Sequence, residues 1–151
     1  MSKLTKVVVF MVGGAEYALP IECVQSIENP GDITPAQAPD YIAGMCVVRG
    51  EILPLVHTQR LFDSFKGNKD GQLKWIVLSL DQQQVGLIVD EAKEILDISG
   101  IEVKQLGMLG LANQNYFLGV ANVNARLITI MDPQKLFMLN GVENLNTHSH
   151  P

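Results

Sequence analysis

The phrase IAGMCVVRGEILPLVHTQRLF at 42–62 returns without a gap as FLGVANVNARLITIMDPQKLF at 117–137. Gly44 falls on Gly119, Val48 on Val123, Gln59 on Gln134, Leu61 on Leu136 and Phe62 on Phe137. The apolar positions between them also coincide: Ile52 with Leu127, Leu53 with Ile128, Leu55 with Ile130 and Val56 with Met131. Five identities in 21 are weak alone; the shared apolar pattern is harder to obtain by chance. The repeat extends backwards, because KVVVFMVGGAEYALPI (6–21) resembles KWIVLSLDQQQVGLIV (74–89). A duplicated chain of 151 residues has few solutions. Each half must make the same small unit, and a unit that small is marginal alone because it can bury so little apolar surface.

The units read as strands. In each copy a β-branched run precedes a polar turn, and a second apolar run follows, which is the hairpin signal. Gly13-Gly14 supplies positive φ in the first turn. Asp81-Gln82-Gln83-Gln84 reads as a longer polar loop in the second copy. A short mixed segment follows each hairpin, ECVQSIENP in one and DEAKEILDIS in the other. Within the long phrase, GMCVV, RG and EILPLVH read as strand, tight turn, strand; GVANV, NA and RLITIM read the same way. Asn124 suits the positive φ that Gly50 supplies in the first copy. TQRLF and PQKLF read as helical turns, with Pro133 at a first helical position. About five short strands per copy predict a mainly all-β fold of two small five-stranded antiparallel barrels around a shared core. The expected boundaries are 5–63 for the first barrel, 64–74 for a polar linker and 75–138 for the second. The tail from 139 to 151 lacks periodicity and is expected to fray. The seam between two such units is a natural groove for binding.

Composition limits the function. Net charge is −5, ordinary for a soluble protein and wrong for a nucleic-acid surface, which needs a basic face. Nine aromatics, with Phe10, Phe62 and Phe137 in core-like positions, leave no stacking platform for bases. The start MSKLTKVVVFMVGGAEYA imitates a signal peptide, but VVVFMV is too short for its apolar region and reads better as a buried strand. No segment is long and apolar enough to insert in a membrane. Cys23 and Cys46 sit in apolar runs and read as reduced, structural thiols of a cytosolic protein. His57 has no nucleophile and orienting acid in a matching pattern, and reads as an ordinary strand-end histidine. His148 and His150 are too few to hold a metal. Asp90, Glu91 and Glu94 read as a solvated face with helical spacing. Gly13-Gly14 lies between strands and is no phosphate-binding loop. Neither an enzyme nor a cofactor is indicated.

VVVF with YALPIECVQSI, then ITPAQAPDYIAGMCVVRGEILPLV and VGLIVDEAKEIL, resemble the CheW-like family, the coupling proteins of bacterial chemotaxis. The likeness covers roughly residues 5–138, and is strongest at 39–54 and at VGLIVD (85–90). It implies two SH3-like barrels and a non-catalytic adaptor in the cytoplasm, recruited to the membrane's inner face through receptors. The implied partners are the regulatory domain of the histidine kinase CheA and the cytoplasmic tips of methyl-accepting chemoreceptors, with weak self-association within arrays. The receptor's helical hairpin would dock between the barrels. Carried over by motif, Arg49 and Gly50 match the family's Arg-Gly turn. Val24 and Ile27 match apolar residues near the receptor groove, and Val47, Gly50, Ile52 and Pro54 lie on the hairpin expected near the kinase. The family usually has Glu where this chain has Ser26, so Arg49 is left with Glu22, Glu28 or no partner. His57-Thr58 stand where Asp-Leu is usual, which leaves open an adaptor of a pilus or other chemosensory system. A small-barrel ligand-binding module is the remaining alternative.

Overall fold

The computed structural model describes residues 5–62, 73–105, 116–139 and 142. The first half gives β1 (Lys6–Val12), β2 (Ala15–Pro20), a 3-10 turn at Ile21–Cys23, β3 (Val24–Glu28), β4 (Ile42–Val48), β5 (Glu51–His57) and α1 (Thr58–Leu61). The second gives β6 (Lys74–Leu80), β7 (Gln83–Val89), β8 (Glu91–Asp97), the short β9 (Val103–Lys104), β10 (Phe117–Val123), β11 (Arg126–Met131) and α2 (Pro133–Phe137). Pro133 stands in the first turn of α2, as its fixed φ favours. Lys74 belongs to β6 rather than to a linker; 64–72 lie outside the described residues.

The strands form two sheets, in the orders β8-β1-β2-β11-β10-β9 and β3-β6-β7-β5-β4. The sheets do not follow the division at 5–63 and 75–138. Each takes a hairpin from the opposite half: β1–β2 joins the strands of the second half, and β6–β7 joins those of the first. The exchange is reciprocal residue by residue. Val24 faces Leu78 on β6, and its repeat mate Ala92 faces Phe10 on β1; Ile27 faces Ile76, and Ile95 faces Val8. Nor is the pairing wholly antiparallel. β5 runs parallel to β7, with Leu55 opposite Gly86, and β11 runs parallel to β2, with Ile130 opposite Ala18. Hairpin signals are local and reveal which strands turn back on each other, but not which sheet the hairpin joins.

All four hairpin turns have two central residues with positive φ: Gly13-Gly14, Arg49-Gly50, Asp81-Gln82 and Asn124-Ala125. Such turns match the twist of the flanking strands. The β6–β7 turn is therefore only two residues long, Asp81-Gln82, rather than the longer loop 81–84, with Gln83 and Gln84 already in β7. Arg49, not Gly50, is the counterpart of Asn124, and Ala125 is held at its positive φ with its amide donating to Asn122 Oδ1 at 3.0 Å.

Phe10, Leu19, Ile76, Leu78, Leu87, Met131 and Leu136 meet in a core drawn from both halves. Leu139 and Val142 are buried in the same cluster; 140, 141 and 143–151, most of the tail expected to fray, lie outside the described residues. Phe137 is buried with them, whereas Phe62 is half-buried and packs on Tyr17 and Phe117 at centroid distances of 4.6 and 5.2 Å. Both cysteines are buried free thiols, and burial pushes Cys23 up to about 12 and Cys46 to about 11. Among the described residues no helix is long and apolar enough to cross a membrane.

His57 shows the repeat under a substitution. Its amide donates to the Tyr41 carbonyl at 2.6 Å, as the amide of Asp132 donates to that of Tyr116 at 2.8 Å. Both residues stand at a helix N-cap, but only Asp132 caps, accepting from the Gln134 amide at 3.0 Å. His57 makes no cap bond, and its Nδ1 is buried without a partner. Burial, then the nearby Arg60, hold its pKa below the ordinary 6.5. A lowered folded-state value means the unfolded chain binds the proton more readily, so this contribution is complete above pH ~6.5 and is lost as pH falls. His57→Asp is expected to add about 1 kcal/mol by capping α1. That should raise the unfolding temperature by roughly 2–4 °C at neutral pH and flatten the loss of stability between pH ~7 and ~5. Thermal melts across that range check it, and an unchanged midpoint would show that the cap does not form.

Candidate functional site

Three surfaces stand out, two of them related by the repeat. The β4–β5 hairpin projects from the second sheet. Val47 and Ile52 are directly opposite each other across it and are 64% and 62% exposed. They border a depression of about 500 Å³ that also takes in Asp32, Thr34 and Met45. Gly50 is exposed at the turn, with open space around its Cα. Pro54 is different: it is buried in β5 opposite Met45, so it supports the hairpin from behind and presents nothing outward.

A glycine brings this hairpin close to the loop beside it. Any Cβ on Gly44 would run into the Thr34 carbonyl oxygen and lie 2.8 Å from Ile33 Cγ2. Thr34 and Met45 exchange both backbone hydrogen bonds, at 2.8 and 2.7 Å. Gly119 repeats the arrangement against the Lys104 carbonyl, with Val103 Cγ1 at 2.8 Å. The two identical glycines of the repeated phrase are thus the points where a loop crosses a strand.

The second surface is the equivalent hairpin, β10–β11. Leu127, the counterpart of Ile52, is 68% exposed and faces Asn122, the counterpart of Val47. The depression beside it, about 410 Å³, includes Ile101, Glu102 and Lys104. No partner contact is expected here from the motifs; the alignment of Leu127 with Ile52 is the signal in the sequence that marks this surface.

The third surface is a groove of about 500 Å³ between the sheets. One wall is β3, with Val24, Ser26 and Ile27; the other is β8, with Ala92, Lys93, Glu94 and Ile95. Ile27 is 45% exposed and Ile95 58%. The β8 residues are strand, not the helical face that the spacing of Asp90, Glu91 and Glu94 suggested. The pattern misled because β8 carries a bulge against β1, where register shifts between Val9 and Phe10, and a bulge breaks the alternation that marks a strand. Asp90 is not a solvated residue either. Its carboxylate accepts from the Gly13 amide and from Gln59 Nε2, both at 2.8 Å, tying the β1–β2 turn to α1.

Charges tie these surfaces to one another. Arg49 Nε donates to Glu28 Oε2 at 3.0 Å, so the turn of the first hairpin is bonded to the end of the groove wall β3. Of the two carboxylates open to Arg49 in the sequence, Glu28 is the one used. Ser26 leaves its hydroxyl oxygen buried and without a partner. On the other wall Arg126 joins three strands: its Nη2 lies 2.5 Å from Glu16 Oε1 on β2 and 2.8 Å from Glu94 Oε2 on β8. That hydrogen bond holds the Glu16 carboxyl below its ordinary range, and the two carboxylates push the guanidinium up. Among the described residues no group of three His, Cys, Asp or Glu is placed to hold a metal.

Comparison with known proteins agrees with this geometry. The model of the CheW-like domain matches residues 6–140. The chain belongs to the CheW-like family. It is 27% identical over 130 residues to the chemotaxis protein CheW of Klebsiella aerogenes, covering 85% of this chain and 78% of the relative. It is 28% identical over 130 residues to CheW of Helicobacter pylori, covering 84% and 78%. The crystal structure of the scaffolding protein TtCheW from Thermoanaerobacter tengcongensis superposes with a TM-score of 0.79 at 27% identity, over 92% of this chain and 96% of that one. The CheW-like fold accounts for the two SH3-like barrels, and the protein is of a chemotaxis scaffold family.

Proposed function

We propose that the protein couples the cytoplasmic tips of transmembrane chemoreceptors to a CheA-type histidine kinase, in the cytoplasm and without catalysing a reaction itself. The observation that carries this reading is the Arg49–Glu28 bond, which links an exposed apolar hairpin to the wall of an apolar groove. Val47 and Ile52 suit the kinase's regulatory domain, whose fold is expected to be related. Val24 and Ile27, with Ile95 facing them, suit a receptor helix. Arg49 and Gly50 hold the turn between the two surfaces. Interfaces of this size bury on the order of 1,200 Å² or less and are transient one at a time. Repetition in an array then supplies strength through effective concentration.

The test is direct. Purified protein mixed with the regulatory domain of a CheA homologue from its own cell should co-sediment with it, and should recruit it to membranes carrying that cell's receptors. Failure to bind every such homologue would sink the reading.

A further inference from the structure

The groove is two-fold in outline and one-sided in charge. Its walls β3 and β8 are edge strands of the two sheets and are related by the repeat. Ser26 faces Val77 as Glu94 faces Val9, and Ile27 faces Ile76 as Ile95 faces Val8. Each strand carries one extra residue at the same place, Gln25 in β3 and Lys93 in β8. The operation that exchanges the walls also leaves the opening where it is, so its axis runs along the normal to the opening. A helix turned by that operation lies in the same groove pointing the opposite way. Ile27 and Ile95 exchange places, and the apolar contact is unchanged. Apolar burial is non-directional and cannot choose between the two directions.

The polar residues break the symmetry. Gln25 turns aside, its Oε1 accepting from Gln84 Nε2 at 2.7 Å, and does not line the groove. Its counterpart Lys93 does line it, 3.9 Å from Glu16. Ser26 is neutral, whereas Glu94 is a carboxylate held in place by Arg126 through Oε2. Among the lining residues, one wall therefore offers charge, at Lys93 and Glu94, and the other offers none; Glu28, at the end of β3, is engaged by Arg49 and does not line the groove.

We propose that the Lys93–Glu94 wall, set against neutral Ser26, fixes the direction in which a receptor helix lies in the groove. The occupant is an amphipathic helix whose apolar ridge has a basic residue at one flank. That residue meets Glu94 in one direction and only Ser26 in the other. A charge-assisted hydrogen bond at a partly exposed site should favour the first by roughly tenfold. This rests on the reading that the groove takes a receptor helix.

The experiment uses the cytoplasmic hairpin fragment of a receptor from the same cell, spin-labelled at one end of the docking helix, with amide line broadening read on the full-length protein. Broadening in the wild type should concentrate at one end of the groove. In K93Q/E94S, which gives β8 the polarity of β3, it should appear at both ends. In S26E/E94S, which moves the carboxylate across the groove, it should move to the opposite end. The rest of the amide spectrum reports that each variant is folded, and single E94S, which removes the carboxylate alone and should also broaden both ends, is the milder version should either double variant unfold. Broadening at both ends in the wild type, or a wild-type pattern retained in every folded variant, overturns the proposal and leaves the groove reading standing. No fragment binding to the wild type overturns both.

Discussion

Gly119→Ala is expected to lower the unfolding temperature by about 6–12 °C, the equivalent of roughly 3 kcal/mol in a chain of this length. The new methyl would be driven into the Lys104 carbonyl oxygen, with Val103 Cγ1 also only 2.8 Å away. A backbone carbonyl in a paired strand cannot swing away as a side chain can. Relief would require β9 to separate from β10, where only two residue pairs join them. Gly44→Ala should behave alike, since it meets the Thr34 carbonyl in the same way and also has φ at +148°. Gly86→Ala is the control. Its first obstacle is Leu55 Cδ1 at 2.8 Å, the far end of a flexible side chain, and the repeat already places Ala18 at the matching position. It should cost about 1 kcal/mol or less. Thermal melts followed by far-UV circular dichroism decide the matter. A Gly119→Ala midpoint within about 2 °C of wild type would mean that the loop crossing gives way freely.

Gly44 and Gly119 were legible in the sequence as an identity between the repeats, and the structure supplies the cause. So were the hairpins, the helical turns and the buried first strand, because alternation, turn residues and Pro133 act over a few neighbours. The exchange of hairpins between sheets was not legible. It depends on contacts such as Leu55 with Gly86, which no local pattern encodes. The groove was expected at the seam and is there, but one wall was read as helical because the Lys93 bulge hides its period. Pro54 was grouped with its exposed neighbours by motif, although its place in β5 buries it. Leu127 does not stand out as a surface residue for the opposite reason: its neighbours match core positions, and only the exposure of its counterpart Ile52 marks its side of the strand as outward.

Ile52→Glu should reduce affinity for the kinase regulatory domain by about 100-fold, the scale of a central apolar anchor replaced by a charge. The fold has little stake in this side chain. Its backbone stays paired with Val47, its side chain is 62% exposed, and Leu53 beside it carries the burial. The melting temperature should therefore shift by no more than about 2 °C, as for an ordinary surface substitution. In a complex, the carboxylate would face apolar surface without a partner, and that cost falls on binding alone. Leu127→Glu makes the same chemical change on the repeat-related hairpin, so calorimetric titrations of the two variants separate the surfaces. Loss with Ile52→Glu alone assigns the kinase to the first hairpin; loss with Leu127→Glu alone moves it to the second. Arg49→Glu adds a further distinction. It replaces the bond to Glu28 with a like-charge pair at the junction of hairpin and groove, so it should weaken binding by about tenfold through displacement of the turn. Arg49→Glu combined with Glu28→Arg restores an opposite-charge pair in reversed order. Recovery of affinity in the double variant means that the pair acts by holding the hairpin against β3, whereas continued loss means that the guanidinium itself touches the partner.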